Sequence, residues 1–376
     1  VYHAEEVFAK MKIIRIESFP IHAPRARTFI AAQATLTHSD FALVVVETDD
    51  GLTGYGEVSS ALFYYRLGAS HADDINRYLA PALIGQDPLM LPALVERMDK
   101  ALRDAHQAKS GVELALWDIA GKAAGLPVYR LLGGKAREAV PLNWTMGFMS
   151  PEETAAEAAY YVEQHGVRSV RLKIGRAGDV DAQACAAVRE RLGPDFPMRV
   201  DANEAYRSPK EAILALRRLE PFNLHLAEQP LATHDFIGHA EVRQAINIPL
   251  ILDESIQSPR DAITAIQTRA ADAFNVYVSE SGGLLRSQQI IAIAEAAGIP
   301  CLIGTMGELQ IASAAGAHLG VACANIPYTS DLVGPLRYNE SIIIEPLRLE
   351  NGLFYPPDAP GLGVTPNWDV INRWRT

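Results

Sequence analysis

Cysteine is scarce: the 376 residues contain three, Cys185, Cys301 and Cys323, with no spacing that suits a metal site. An odd, sparse set in apolar surroundings excludes a disulfide framework and points to core residues in a reducing compartment. Apolar runs long enough to span a bilayer are missing. The opening "VYHAEEVFAK" has neither the basic start nor the apolar stretch of a secretion signal. A cytosolic protein with no membrane partner is expected. Positive charge is in short supply too, since 34 Lys and Arg stand against 45 Asp and Glu for a formal charge of -11. That balance argues against nucleic acid as a partner. Low-complexity segments and obvious linkers are absent. What is present is an ordinary globular composition, 49% hydrophobic and 21% charged, with core enough for one large domain plus a smaller one. A small molecule is the expected partner and a homo-oligomer the expected assembly.

Two textures follow one another along the chain. "MKIIRIESF" reads as a natural beginning, so the fold is counted from Met11. From there to about residue 58 the pattern is strand-like, and Asp50-Gly51 between β-rich runs signals a hairpin. From about residue 71 to 133 it turns helical and ends in "SGVELALWDIAGKAAGLPVYRLLGG", with Ser110 as the expected N-cap and Gly125 before Pro127 as the stop. This first third reads as a compact α+β domain.

From about residue 140, short apolar strands alternate with amphipathic helices: "VPLNWTMG", "SVRLKIG", "PMRVDAN", "NLHLAEQP", "PLILDES", "AFNVYVSESGG" and "PCLIGTMGE". Anchored on one residue near each strand end, Lys173, Asp201, Glu228, Asp253, Tyr277 and Gly304, the steps are 28, 27, 25, 24 and 27 residues. That is one strand, one helix and two loops. Seven or eight such repeats closing on themselves make a barrel. A doubly wound open sheet is the alternative, weakened by the lack of a G-x-G-x-x-G after a first strand.

In a barrel, the C-terminal strand ends share one mouth, where the chemistry is done. Asp201, Glu228 and Asp253 occupy that level on three consecutive strands. Three carboxylates so close repel at low dielectric unless something positive sits among them. Oxygen-only ligands suit a hard cation, Mg²⁺ first and Mn²⁺ second. One strand earlier, Arg171 and Lys173 are two residues apart and so face the same way. An anionic cluster and an anionic substrate would offset their mutual repulsion, and Lys173 is placed to act as a base.

These residues carry a resemblance to a known family. "LTGYGEV", "ALWDIAGKAAGLPVYRLLGG", the strand-end acids, "SESGGL", "GTMGE" and "SDLVGPL" resemble the enolase superfamily, on the side of the muconate-cycloisomerase group within the mandelate racemase/muconate lactonizing enzyme family. The resemblance implies an α/β fold, a modified (β/α)₇β TIM barrel with an N-terminal α+β capping domain. Its expected parts are the cap at 11–135, the metal-bearing barrel at 136–330, and a C-terminal segment, 331–376, returning to the cap. It implies a metal-held carboxylate whose α-proton is removed, with the developing charge stabilised by a fixed cation. By the same resemblance Asp201, Glu228 and Asp253 match the metal ligands, and Lys173 matches the second lysine of the K-x-K strand motif, the usual base.

The chain departs from that pattern twice. Arg171 replaces the first lysine of K-x-K, and Tyr277 stands where a second, opposing lysine would be. Tyrosine, with a reference pKa near 10, is a poor isolated base. A one-base reaction is therefore expected, most simply dehydration of a hydroxylated acid such as a hydroxyproline or sugar acid. The alternative is a cycloisomerase, or a racemase or epimerase in which Tyr277 acts as an acid. No histidine stands in "CLIGTMGE", where acid-sugar dehydratases usually carry one. Two further readings stay open, a Schiff-base lysine enzyme and a non-catalytic metabolite binder. Arg25 and Arg27 in "PIHAPRARTF", Tyr64 and Tyr65 in "SSALFYYRLG", Trp144 and Glu308 are the candidates for holding the rest of the substrate.

Overall fold

A computed structural model of the chain describes residues 11–30, 35–60 and 67–376. Tyr64 and Tyr65 lie outside the described residues. The strand-like start forms an antiparallel meander of β1 (Ile13–Ile30), β2 (Thr35–Thr48) and β3 (Thr53–Ser60). The hairpin signalled by Asp50-Gly51 joins β2 to β3, with Gly51 at φ +88°, where a side chain would be strained. Helix His106–Ala124 packs on β3 so tightly that a Cβ on Gly56 would come within 1.9 Å of the Gly111 carbonyl oxygen. Gly125 ends this helix in the left-handed conformation, as expected. Ser110 is not its N-cap. The helix starts a turn earlier, at His106, and the Ser110 hydroxyl donates instead to the Val278 carbonyl across the domain junction, at 3.1 Å.

The repeats build one parallel sheet. After β4 (Val140–Pro141) come β5 (Asn143–Met146), β6 (Ser169–Lys173), β7 (Met198–Asp201), β8 (Leu226–Glu228), β9 (Leu250–Leu252), β10 (Ala273–Val276) and β11 (Cys301–Ile303). Strands β5 to β11 pair in chain order, each with the next. Connecting helices begin where the sequence supplies caps: Ser150 forms a capping box with Glu153, and Ser208 and Ser258 accept from the third residue of their helices. The segment after helix Gln310–Ala322 ties the sheet's two edges together. Asn325 accepts from Cys301 N at 3.0 Å on the β11 side, while Ser330 accepts from Asn143 N at 2.9 Å on the β5 side. This gives the expected (β/α)₇β class. β12 (Arg348–Glu350) and β13 (Leu353–Tyr355) then pair back onto β4.

Cap and barrel are joined by buried carboxylates of the cap set at helix N-termini of the barrel. Glu57 on β3 accepts from Leu309 N at 2.7 Å and Ala312 N at 3.1 Å, at the start of helix Gln310–Ala322. Glu113 accepts from Leu284 N and Leu285 N, both at 2.9 Å, at the start of helix Leu284–Ala296. Orphan helix N–H groups and the helix dipole both favour an acceptor there. The chain end also returns to the cap, where Thr376 N donates to Pro20 O at 3.2 Å. The barrel mouth is thereby held against β1 and β2.

Candidate active site

The sheet register sets the site. Lys173 lies opposite Asp201 and Asp201 opposite Glu228, so the lysine and the two acids from three strands stand at one level. Asp253 and Tyr277 follow directly after β9 and β10 and reach the same level. One carboxylate oxygen each from Asp201, Glu228 and Asp253 lies within 4.8 Å of the others. All three residues are at most 3% exposed. Glu228 Oε2 and Asp253 Oδ1 are buried with no hydrogen-bond partner. Buried acceptors left without a donor are costly. A hard divalent cation satisfies them with the oxygen ligands it prefers, so this donor set fits one. Burial, and then the negative neighbours Glu254 and Glu228, push the Asp253 carboxyl well above its ordinary range.

The two cations of "SVRLKIG" take different posts. Arg171 is 3% exposed, and its guanidinium pairs with Glu228 and approaches Asp331 Oδ2 at 3.3 Å and Asp201 Oδ2 at 3.5 Å, while Nε donates to Thr145 at 3.0 Å. Burial disfavours its charge, yet Asp331 and Glu228 outweigh this and hold its pKa well above the ordinary value. Arg171 braces the carboxylates. Lys173 points further out, with Nζ donating to Asp201 Oδ2 at 2.5 Å and to Asn203 Oδ1. Both line a cavity of about 290 Å³ between the barrel mouth and the cap, which also takes in Tyr277, Glu254, Arg25 and Phe29.

Tyr277 is buried and donates to Asp253 Oδ2 at 3.3 Å. Burial, and next the Asp253 charge, push its phenol well above the usual range. Its ring fits because Gly304, just after the neighbouring strand β11, has no side chain: a Cβ there would come within 2.0 Å of the ring.

The remaining candidates divide. Arg25 lines the main cavity, with Nη1 donating to Ser39 Oγ at 2.7 Å. Arg27 does not. It is largely exposed, 4.0 Å from Glu157 and stacked over Tyr160, beside a small separate cavity. Trp144 also faces that side cavity rather than the main one. Its indole stacks on Tyr161 and donates to Glu157 at 2.9 Å, so it packs behind the main cavity. Its outward direction follows from strand alternation, because Thr145, the next residue on β5, faces inward. Glu308 is 7% exposed and stands behind the mouth, accepting from Met306 N at 3.0 Å with Oε2 unpartnered. Burial pushes its carboxyl up to about 7.

Several residues of the site were not singled out from the sequence. Arg199 sits inside the barrel and pairs with Asp331, which in turn accepts from Asn143. Asn275 donates to Glu228 at 3.1 Å, and Asn203 links Lys173 to Glu254. Arg199 is two residues before Asp201 on a strand, the same alternation that pairs Arg171 with Lys173, so a signal for it was present. Arg337, another cavity residue, has none: it ends a short 3₁₀ helix, Gly334–Arg337, beyond the barrel repeats.

Comparison with known proteins agrees with this geometry. Residues 15–133 match the mandelate racemase/muconate lactonizing enzyme N-terminal domain, and residues 153–370 match the enolase C-terminal domain-like family. The chain is 32% identical over 364 residues to an N-succinyl-L-Arg/Lys racemase of Bacillus cereus, covering 96% of this chain and 98% of that one. It is 31% identical to muconate cycloisomerase 1 of Rhodococcus opacus, covering 97% and 98%. Among solved structures, a dipeptide epimerase from Enterococcus faecalis, in complex with Mg and the dipeptide L-Leu-L-Tyr, superposes with a TM-score of 0.89 at 32% identity, over 94% of this chain and 99% of that one. The chain is an enzyme of the enolase superfamily, in its mandelate racemase/muconate lactonizing enzyme family. These relatives are isomerases, a racemase, a cycloisomerase and an epimerase. They favour the isomerase alternative over the dehydration that the sequence first suggested.

Proposed function

We propose that this protein is a Mg²⁺-dependent isomerase of a small carboxylate, with Lys173 as its single mobile base and cycloisomerisation as its reaction type. Asp201, Glu228 and Asp253 would hold the metal, whose charge would stabilise carboxylate oxygens that gain electron density when the adjacent carbon loses its proton. Lys173 removes that proton from one face, and a group on the next carbon leaves with its bonding pair. In the opposite direction the group adds and Lys173 returns the proton to the same face. Arg171 holds Glu228 in place, and Asn203 and Asp201 orient Lys173 Nζ, which must be the neutral amine to take the proton and leaves the step as the ammonium.

The observation that carries the reading is the pair of residues across the cavity: Lys173 on one side, and on the other a buried, neutral Tyr277 bonded to Asp253. A racemase must remove a proton from either face. A phenol whose pKa is raised by burial can give a proton up to a strong base but cannot take one from a weak carbon acid at neutral pH. A second reading, racemisation with Tyr277 as the opposing acid, is favoured only by its position facing the cavity.

Proton NMR of the Mg²⁺-loaded protein in D₂O, with unsaturated diacids and their lactones, N-acyl amino acids and dipeptides, separates the two. Ring closure or opening with deuterium on a single face, lost in Lys173→Ala, is the expected result. Deuterium at the α-carbon with inversion and no ring chemistry would establish the second reading instead.

A further inference from the structure

Beside the metal ligands, two buried guanidiniums share one carboxylate that is not a ligand. Asp331 is fully buried on the segment that closes the sheet, where its N–H donates to the Ile303 carbonyl at 2.9 Å. Its Oδ1 accepts from Arg199 Nη2 and, at 2.6 Å, from Asn143 Nδ2, while Oδ2 lies 3.3 Å from Arg171 Nη1. Arg171 and Arg199 are each 3% exposed. Burial works against the Asp331 charge, but Arg171 and Arg199 outweigh it and hold the carboxyl below its ordinary range.

Among the described residues, the carboxylates within 4.0 Å of these guanidiniums are Asp201, Glu228 and Asp331. Asp201 and Glu228 belong to the cluster that suits a cation, and Asp331 does not. A buried guanidinium competes with a metal ion for the same carboxylate lone pairs. Asp331 limits that competition. It bonds Arg199 Nη2, and Arg199 Nη1 stays 4.0 Å from Glu228 Oε2, beyond hydrogen-bond reach. The two oxygens of Glu228 are thereby divided: Oε1 is taken by Arg171 and Asn275, and Oε2 has no donor. An arginine at position 171 sharpens the need for such a partner, because a guanidinium carries more N–H donors than the ammonium of a lysine.

Resting on the metal site of the isomerase reading above, we propose that Asp331 is a positioning residue, a buried counter-charge that holds Arg199 and shares Arg171 so that Glu228 keeps one oxygen open for a divalent cation. Without its charge, the two guanidiniums have only metal ligands left to pair with among the described residues, and the affinity for the cation falls. The orientation of groups behind the ligands then sets how tightly the site binds.

Calorimetric titration with Mg²⁺ tests this without turnover, on the native protein, Asp331→Asn, Arg199→Gln and the double variant. Asp331→Asn keeps the size of the side chain and removes its charge, and Mg²⁺ should bind at least about tenfold more weakly. Arg199→Gln removes a positive charge near Glu228 and leaves Asp331 to draw on Arg171, so Mg²⁺ should bind at least as tightly as in the native protein. The double variant loses one charge of each sign and should return to within about threefold of native. A role in packing alone predicts weaker binding in both single variants and no recovery in the double one. A loss of less than tenfold in Asp331→Asn, or binding weaker than native in Arg199→Gln, would overturn the inference. If Asp331→Asn does not fold for want of the buried counter-charge, the sign of the change in Arg199→Gln still decides. Native protein that binds no Mg²⁺ would refute the metal site itself, whereas native binding that Asp331→Asn leaves unaltered would refute only the role of Asp331.

Discussion

On the proposed mechanism Lys173 moves the proton and Tyr277 does not, so their substitutions have separable outcomes. Removal of a general base costs on the order of 10²–10⁴ in rate. Lys173→Ala should therefore abolish measurable α-proton exchange while Mg²⁺ binding, followed by calorimetry, persists. Tyr277→Phe keeps the ring beside Gly304 and removes only the hydroxyl. The one-base reaction predicts that turnover stays within about tenfold, since the hydroxyl is bonded to Asp253 and moves no proton. A loss of a hundredfold or more would make Tyr277 the acid of a racemase. Gly304→Ala acts through space instead: a Cβ within 2.0 Å of the Tyr277 ring forces that ring off its position. Overpacking of this kind costs about 1–3 kcal/mol, to be read as a lowered midpoint of chemical denaturation.

At the scale of elements, the cap is fastened to the barrel by carboxylates that are most stable uncharged. Burial pushes Glu57 up to about 8 and Glu113 up to about 7, against helix N–H groups that pull each of them down. A carboxyl whose pKa is higher folded than unfolded binds more protons in the folded state, so its contribution to stability is complete below about pH 4.5 and is lost as pH rises through the folded value. The melting temperature should fall between pH 5 and pH 9 for this reason. In Glu57→Gln, which keeps an acceptor for the helix, the fall should be shallower. An unchanged slope would show that Glu57 is ionised in the folded protein. His318 works in the opposite sense, since burial holds it down to about 4 and stability is lost as pH falls from about 6.5 towards that value.

For the whole molecule, the three strand-end acids place a large local negative charge where β7, β8 and β9 end. A cation that binds only the folded chain stabilises it, by about 2.7 kcal/mol at a concentration one hundred times its dissociation constant. Mg²⁺ should raise the melting temperature, a chelator should reverse the rise, and Asp253→Asn should remove most of it. A melting temperature indifferent to Mg²⁺ in the native protein would show that Arg171, which already reaches Glu228 and Asp201, neutralises the cluster unaided. Manganese in place of magnesium should give the same direction of effect, because the ligands are all oxygens.

Much of this was legible from the chain alone, for reasons of periodicity. Repeats of 24 to 28 residues dictate a parallel sheet, and strand alternation then fixes which residue of each repeat faces the mouth. Asp201, Glu228, Asp253, Lys173 and Tyr277 follow from that rule, since a position at a strand end is a local property. Only the tertiary structure decided the rest. Ser110 reads as a cap but bonds across the junction. Trp144 turns away from the mouth and Arg27 faces a side cavity. The pairing of Arg25 with Arg337 over Phe29 joins residues more than 300 positions apart, from the first strand of the cap and a segment beyond the barrel. No local pattern encodes such a meeting, because it depends on how the chain's two ends close over the same mouth.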